Sequence, residues 1–247
     1  MHDSSFESWG IIEKVKICYK QYEIEENQLD KAETLERIQN KVENFRDLNL
    51  YNQSYVKPNM IFRSATPIPH QSPELLEEFK VLEISSLVDL RSAVEIGYAS
   101  YNDDFIQAFT YYWVHIDISM PPEILEEYGV NILPFYKQFC WYTLFHNKDQ
   151  IKRFFNILSQ TDNYSIVLHC HAGRDRTGIM SALVLLLMNA PEANIIQDYL
   201  ATDIYTQAED MEYVFQKVYE EGGIEKYLLS CGVEQKVLDE LKERLKP

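Results

Sequence analysis

The sequence has little positive charge, and this excludes whole classes of partner. It contains 23 lysine and arginine residues against 39 aspartate and glutamate residues, which gives a formal net charge of −16. Because no basic stripe stands out, we expect neither nucleic acid nor a generally anionic membrane surface as a partner. An anionic ligand would need a local positive pocket, which is feasible because salt screens charges beyond about 8 Å.

The chain also lacks a disulfide framework and a long apolar run. Its four cysteines are widely spaced, and no stretch reaches the roughly 18 apolar residues that cross a bilayer. The first residues show no basic segment followed by an apolar one. We therefore expect a cytoplasmic protein without an integral membrane segment, with export by a route that needs no conventional signal as the alternative. The oligomeric state is not predicted.

The remaining composition predicts one domain. A chain of 247 residues with 46% hydrophobic content can bury one large core, and no Pro/Gly/Ser-rich linker divides it. Residues 1–40 form an N-terminal extension of uncertain structure, in which 9–24 could be a strand or hairpin and 27–41 favours a helix. After it, strands alternate with helices and a helical end follows. This order predicts an α/β fold with a central, mostly parallel sheet and helices on both faces.

A strand, a tight turn and a helix start follow one another around Cys170. Residues 165–168 are apolar and partly β-branched, whereas 177–188 are long and Ala/Leu-rich enough for a helix. Cys170 thus stands where a strand ends and just before a helix begins. The first N–H groups of a helix have no partner inside it, so with the helix dipole they attract an anion. A thiol at the centre of such a ring is stabilised as the nucleophilic thiolate.

Arg176 follows Cys170 by six residues, and its planar guanidinium suits two phosphate oxygens. At the same distance from Cys18, Cys140 and Cys231 stand Ile24, His146 and Val237. Only Cys170 has the arginine, which argues against a merely structural cysteine. A metal site made of His169, Cys170 and His171 is disfavoured because neighbouring strand side chains diverge and no second ligand cluster exists. We expect no metal and no cofactor.

The segment His169–Gly178 resembles the phosphate-binding loop of cysteine-dependent protein tyrosine phosphatases. More narrowly, it is similar to the atypical bacterial-type group that includes secreted phosphatases of mycobacteria and Listeria. Other motifs of that group occur in the same order, namely Asn44–Leu48, Phe62–Ala65, Val88–Ser92 with Glu95, and Asp198–Thr202. The resemblance implies a tyrosine-phosphatase-like fold and makes 41–247 the phosphatase domain. Arg174 replaces the usual lysine, and Asn49 and Leu50 replace two glycines.

The resemblance and the chemistry together assign roles to the loop. Cys170 is the expected nucleophile, Arg176 the phosphate-binding cation, and Thr177 donates to the sulfur when the thiolate leaves. The expected phosphate-binding residues are His171, Ala172, Gly173, Arg174, Asp175 and Arg176. The expected supporting residues are His169, Arg63, Asp89 and Arg91. Arg63 could approach the phosphate, brace its site, or pair with Asp47, Asp89 or Glu95, and Glu95 is expected to pair with a nearby arginine.

Two carboxylates compete for the role of general acid, which must protonate the leaving oxygen. Asp175 lies in the loop, and the matching aspartate of the resembling family is thought to be the acid. Asp117 lies at a strand end before 119–131, a candidate lid, where other tyrosine phosphatases keep their acid. We favour Asp175.

The expected function is hydrolysis of phosphate monoesters through a cysteinyl-phosphate, with a phosphotyrosine protein as substrate, either alone or with the dual specificity that also accepts phosphoserine and phosphothreonine. A phosphoinositide substrate with the same mechanism is the alternative, since the cationic loop suits both. Two remote alternatives are a rhodanese-type sulfurtransferase, which has no need for the Arg176-Thr177-Gly178 ending, and an inactive phosphoprotein-binding module, which would be expected to lack the nucleophile, the arginine or the acid.

Overall fold

The computed structural model describes residues 30–202 and 205–247. The strand or hairpin predicted at 9–24 lies outside the described residues, whereas the helix predicted at 27–41 is present over 30–39. Within the two described ranges, no helix combines the length and the apolarity that a membrane span requires.

A five-stranded sheet forms the centre of the fold, in the order β1-β2-β5-β3-β4. The strands are β1 (Arg46–Asp47), β2 (Ile61–Ser64), β3 (Ser86–Asp89), β4 (Thr110–Trp113) and β5 (Ile166–His169). Strands β2, β5, β3 and β4 run parallel, and only β1 is antiparallel to its neighbour β2. The carboxyl ends of the four parallel strands therefore lie along one edge, where ligands collect in open α/β sheets.

Helices cover both faces of this sheet. They are α1 (residues 30–39), α2 (Pro73–Val81), α3 (Ala93–Tyr98), α4 (Asp103–Ile106), α5 (Pro122–Glu127), α6 (Phe135–His146), α7 (Lys148–Leu158), α8 (Asp175–Leu187), α9 (Glu192–Leu200), α10 (Ala208–Glu220), α11 (Ile224–Ser230) and α12 (Gln235–Leu245). Short 3-10 turns lie at Ile68–His70 and Thr161–Asn163. The expected mostly parallel α/β class is confirmed.

The residues of β5 alternate between two hydrophobic cores because successive side chains of a strand point to opposite faces. Ile166 and Leu168 belong to the larger core, which is formed mainly with α6 to α12. Val167 belongs to the smaller core, which is formed mainly with α1, α2 and α4. Since β5 is fully buried on both faces, it reads as a continuous apolar run, as parallel strands do.

Local signals fix several helix ends. Ser72 caps α2 by accepting from Leu75 N, and Pro73 occupies the first turn, as the sequence predicts. Ser92 and Glu95 form a reciprocal capping box at the start of α3. The apolar spacing over 135–158 predicts one long helix or two with a break near His146 and Asn147, and the structure has two helices that meet at Asn147.

The sequence predicts a strand over 110–118, but β4 is shorter. It ends at Trp113 because its partner β3 ends at Asp89 and the chain then turns into α3. Beyond that point isolated bonds remain, from Val114 N to Asp89 O at 2.9 Å and from Ile116 N to Leu90 O at 3.4 Å. Asp117 thus lies past the sheet edge, in the connection to α5.

Candidate active site

Cys170 is the first residue after the central strand β5, and it is 2% exposed. His169, the last residue of β5, lies in register with Ser64 of β2 and Asp89 of β3. The segment that follows each of these strand ends therefore surrounds Cys170. Helix α8 begins at Asp175, so the loop from Cys170 to Arg174 joins a strand end directly to a helix N-terminus.

The carbonyl oxygens of this loop are held by donors from the surrounding fold. His169 O accepts from Leu90 N at 2.8 Å, and His171 O accepts from Thr66 N at 3.0 Å. In contrast, the N–H groups of His171, Ala172 and Gly173 donate to no acceptor among the described residues. Backbone donors that the protein itself does not use are available to an anion.

His169 supports the loop as a neutral ring. Its Nδ1 lies 3.1 Å from Cys170 O, and its Nε2 lies 2.9 Å from the Tyr101 hydroxyl. Burial lowers the pKa of His169, and the carboxylate of Asp89, with Oδ1 3.9 Å from Nδ1, offsets this only in part. Since a carbonyl can only accept, Nδ1 carries the proton and Nε2 accepts from Tyr101.

Gly173 occupies a position where no other residue fits. Its φ of +67° is a left-handed conformation, and a Cβ at this position would lie 2.3 Å from Ala65 N and from Ser64 C. Both are backbone atoms and cannot move aside as a flexible side chain could. The loop therefore packs directly on the backbone that leaves β2.

Arg176 is held by Glu95 in a bidentate ion pair. Nη1 lies 2.6 Å from Oε2 and Nη2 lies 2.7 Å from Oε1, while Nη1 also donates to Leu90 O at 3.4 Å. The predicted pairing of Glu95 with an arginine is therefore present. The Nε–H and the outer Nη2–H of Arg176 have no acceptor among the described residues. These two donors lie on one edge of the guanidinium and match two oxygens of a phosphate.

Arg91 and Asp89 form a buried ion pair with each other. Arg91 Nη2 lies 2.7 Å from Asp89 Oδ2, Arg91 Nη1 donates to Ala99 O at 2.7 Å, and Tyr111 donates to Asp89 Oδ2 at 2.9 Å. Both members of the pair are buried, at 1% and 0% exposed. Of the two strand-end arginines, Arg91 thus braces the sheet edge.

Arg63, the other strand-end arginine, forms none of the expected ion pairs with Asp47, Asp89 or Glu95. It is fully buried, and its carboxylate partner is Asp198 of α9. Asp47 instead accepts from the backbone N–H groups of Asn49 and Asn59, and Glu95 binds Arg176. Of the two roles weighed for Arg63, bracing the loop is the one that its position fits.

Asp175 is the first residue of α8, and its Oδ1 accepts from Arg174 Nε at 3.0 Å. Three polar residues that the sequence does not predict lie near it, namely Tyr136, Tyr199 and Asp210. Tyr136 of α6 and Tyr199 of α9 join their hydroxyls at 2.6 Å. Burial raises the pKa of Asp210 in α10, and the nearby Asp175 carboxylate raises it further, against a hydrogen bond from the Gln207 backbone. No local sequence signal links these residues, since four helices contribute them.

Asp117 is engaged elsewhere. Its Oδ1 accepts from Ser119 N at 2.9 Å, and its Oδ2 accepts from Ser119 Oγ at 2.9 Å and Tyr142 Oη at 2.8 Å. Partial burial raises the pKa of Asp117, but these hydrogen bonds outweigh it and leave the pKa below its ordinary value. All the hydrogen bonds of this carboxylate thus go to the 119–131 segment and to α6.

Thr177 lies in the first turn of α8 and is fully buried. Its hydroxyl makes no hydrogen bond to any described residue, including the sulfur of Cys170. The bond expected between Thr177 and Cys170 is therefore not formed in this structure. That hydrogen bond was expected at the stage of the reaction at which the Cys170 thiolate leaves.

The sequence matches one known family over most of its length. The profile described as "Tyrosine phosphatase family" matches residues 39–214. A curated relative from Nostoc commune, named tyrosine-protein phosphatase, is 26% identical over 133 residues, which cover 40% of this chain and 45% of that protein. The chain thus aligns with less than half the length of this relative.

Two solved structures are similar to the fold. The core catalytic domain of the PP-IP phosphatase SIW14 from S. cerevisiae, in complex with citrate, is 18% identical with a TM-score of 0.47, covering 78% of this chain and 96% of its own. TpbA of P. aeruginosa is 11% identical with a TM-score of 0.41, covering 70% and 87% respectively.

Proposed function

Because the chain belongs to the tyrosine phosphatase family, we propose that it is a phosphoric monoester hydrolase that uses Cys170 as its nucleophile. The observation that carries this proposal is a set of hydrogen-bond donors, without acceptors among the described residues, around the Cys170 thiol. The N–H groups of His171 to Gly173 and the free edge of Arg176 surround the strand end that carries Cys170. Together they would neutralise the charge on the equatorial oxygens of a phosphoryl group in transfer.

In the first step, the Cys170 thiolate attacks phosphorus and the bond from phosphorus to the ester oxygen breaks. Asp175 gives its proton to the leaving oxygen, so the alcohol or phenol departs neutral. Glu95 holds the two terminal nitrogens of the Arg176 guanidinium, which fixes the orientation of the edge that remains for the phosphoryl group. The product of this step is a cysteinyl-phosphate.

In the second step, a water molecule attacks the phosphoryl group while Asp175, now a carboxylate, accepts its proton. The sulfur–phosphorus bond breaks, and inorganic phosphate and the Cys170 thiolate are released. The Thr177 hydroxyl, which has no hydrogen-bond partner among the described residues, is available to donate to the sulfur at this stage. The atoms balance without a metal or an external cofactor.

Asp175 rather than Asp117 is the proposed acid. Asp175 lies in the first turn of α8, beside the loop, whereas both oxygens of Asp117 are bound to Ser119 and Tyr142. Three hydrogen bonds favour the ionised form of Asp117, whereas Asp175 accepts one, from Arg174. The bonds to Asp117 therefore support a structural role for it in the segment before α6.

The proposed substrate is a phosphotyrosine protein, with the phosphoinositides as the alternative. Arg174 adds a second cation at the loop, with its side chain 31% exposed, and such a cation suits either kind of phosphate ester. We also propose a cytoplasmic location, since a nucleophilic thiol stays active in a reducing compartment.

The test is phosphate release from a phosphotyrosine peptide, a phosphoserine peptide and soluble phosphoinositides under reducing conditions. We expect release from the phosphotyrosine peptide, and loss of release in Cys170→Ser. The matched control is Cys231→Ser, which makes the same change at another buried cysteine and should leave the rate unchanged. Comparable release from phosphoinositides would move the substrate to lipid, and activity that survives in Cys170→Ser would refute the mechanism.

A further inference from the structure

Besides Cys170 O, which His169 binds, two further loop carbonyls are held by side chains rather than by backbone. Ala172 O accepts from Asn44 Nδ2 at 2.8 Å, and Gly173 O accepts from Arg63 Nη2 at 2.9 Å. Since a carbonyl oxygen can only accept, the amide nitrogen of Asn44 must face the loop. With the backbone donors described above and His169, each carbonyl from His169 to Gly173 has a donor of its own.

The direction of these carbonyls fixes the direction of the amides that follow them. In a trans peptide the C=O and the next N–H point in opposite directions. The bond from Asn44 to Ala172 O therefore turns the Gly173 N–H away from Asn44. This N–H has no acceptor among the described residues, so it remains available to an anion in the loop.

Asn44 is itself held in an uncommon conformation. Its φ is +60°, in the left-handed region that asparagine tolerates better than most residues. Its carbonyl oxygen accepts from Arg46 Nη1 at 3.1 Å. Arg46 thus fixes the backbone from which the Asn44 side chain reaches the loop.

Arg46 and Arg63 share one carboxylate, that of Asp198. Asp198 Oδ1 accepts from Arg46 Nε at 2.8 Å, and Oδ2 accepts from Arg63 Nη1. The three side chains are 5%, 1% and 2% exposed for Arg46, Arg63 and Asp198. The Asp198 backbone oxygen also accepts from Arg46 Nη2 at 2.6 Å. A single buried carboxylate therefore locks both guanidinium groups in place.

We propose that Asn44 is a positioning residue for the loop, held in place by the buried cluster of Arg46, Asp198 and Arg63. Its amide keeps the Ala172 carbonyl turned outward and thereby aims the Gly173 N–H at the phosphoryl group. Asn44 acts through the backbone and not by contact with the reacting atoms. This assignment rests on the proposed phosphatase function.

The test uses two Asn→Gly variants that differ in one contact. Asn44→Gly removes the donor at a position where glycine adopts the required φ without strain. Asn59→Gly is the matched control, because Asn59 also has a φ of +60° but is exposed, and its backbone bonds go to Asp47 and Ser165. Both variants raise the conformational entropy of the unfolded chain by the same amount, because each replaces an asparagine by a glycine.

We expect kcat for p-nitrophenyl phosphate to fall about tenfold in Asn44→Gly, because a misaligned amide loses most when negative charge builds up on the equatorial oxygens. KM and the calorimetric Kd for inorganic phosphate should rise less, by about threefold, because one hydrogen bond is weakened in the ground state. Asn44→Asp, which keeps the shape but places an acceptor against Ala172 O, should lose at least as much activity. Asn59→Gly should match the wild type in all three quantities.

Values for Asn44→Gly that equal those of Asn59→Gly would overturn the positioning role, as would full activity of Asn44→Asp. If the wild type hydrolyses no phosphate ester but phosphate binding still weakens in Asn44→Gly alone, then the hydrolase proposal fails and the positioning role stands. Equal urea midpoints of the two glycine variants would show that the loss of activity is not a loss of fold.

Discussion

Glu95 and Arg176 meet end-on, with both carboxylate oxygens within 2.7 Å of the two terminal nitrogens of the guanidinium. The pair links the first turn of α3 to the first turn of α8, so it joins the segments that follow β3 and β5. Because Ser92 N and Ser92 Oγ also donate to Glu95 Oε2, the carboxylate is itself fixed by the helix cap. An N-terminal cap therefore sets the orientation of the phosphate-binding arginine.

This pair predicts a loss of stability in acid. Burial raises the pKa of Glu95, but Arg176 and the Ser92 donors outweigh it and lower the pKa from 4.5 to about 2. A carboxyl whose pKa is lowered by folding contributes its full stabilisation at pH values above its pKa in the unfolded chain. This contribution is lost as the pH falls from 4.5 toward 2. The urea midpoint of Glu95→Gln should therefore lie below that of the wild type at pH 6 and approach it at pH 3. Glu127→Gln, at an exposed position on α5 that forms no ion pair with another described residue, is the control and should not differ at either pH.

Removal of the general acid should matter most for poor leaving groups. In Asp175→Asn we expect kcat to fall about 100-fold for phenyl phosphate and far less for p-nitrophenyl phosphate, whose phenolate departs without a proton. Asp117→Asn should lower both rates by a similar, small factor, because its carboxylate only ties Ser119 to Tyr142. If Asp117→Asn shows the selective loss instead, the assignment of the acid is wrong.

Gly173 and Gly129 form a natural pair for a test of the loop. Both have a φ near +66°, but a Cβ at Gly129 would meet nothing within 4 Å, whereas one at Gly173 would overlap the backbone of Ser64 and Ala65. Gly129→Ala should lower the free energy of unfolding by about 1 kcal/mol, the cost of a left-handed alanine. Gly173→Ala should lower it by more than about 3 kcal/mol and abolish turnover, because the added Cβ would force the loop away from the backbone that follows β2. Urea unfolding of the two variants measures the difference, and equal losses would contradict the packing described here.

The buried carboxylate of Asp198 should be far more important for stability than an exposed one. Asp198→Asn leaves two buried guanidinium groups without a counter-ion, and such a loss costs about 3–5 kcal/mol of unfolding free energy. Glu77, whose ion pair with Lys80 is 69% and 55% exposed, offers the comparison. Glu77→Gln should change the unfolding free energy by less than about 0.5 kcal/mol. Chemical denaturation at neutral pH tests both, and a small effect of Asp198→Asn would show that the cluster is hydrated or rearranges.

Local and periodic signals were sufficient for much of the fold. The cap at Ser72, the apolar run before Cys170 and the glycines at 222, 223 and 232, which predict the ends of α10 and α11, each act on neighbours close in sequence, so the elements they predict are present. The position of Cys170 at a strand end followed within five residues by a helix could be predicted for the same reason. The resemblance to a known family added the order of the motifs along the chain.

The contacts between distant segments could not be predicted in this way. Arg63 pairs with Asp198, 135 residues later, and not with the acids near it in sequence. The residues near Asp175, namely Tyr136, Tyr199 and Asp210, come from three other helices. Such partners depend on how helices pack across the sheet, and packing leaves no fixed spacing in the sequence. The predicted length of β4 was wrong for a related reason, since the strand ends where its partner β3 ends.

The place of β5 in the sheet also determines how activity responds to partial unfolding. Strand β5 has a parallel neighbour on each side, whereas β1 and β4 each have a single neighbour within the part of the chain that the structure describes. Fraying that begins at a sheet edge leaves the backbone of β5 bonded, so its amides should exchange with solvent deuterium only when the whole sheet opens. The strand that carries the thiol is thus the one most resistant to local opening, and in denaturant we expect the activity to persist until cooperative unfolding and then to vanish at the same midpoint.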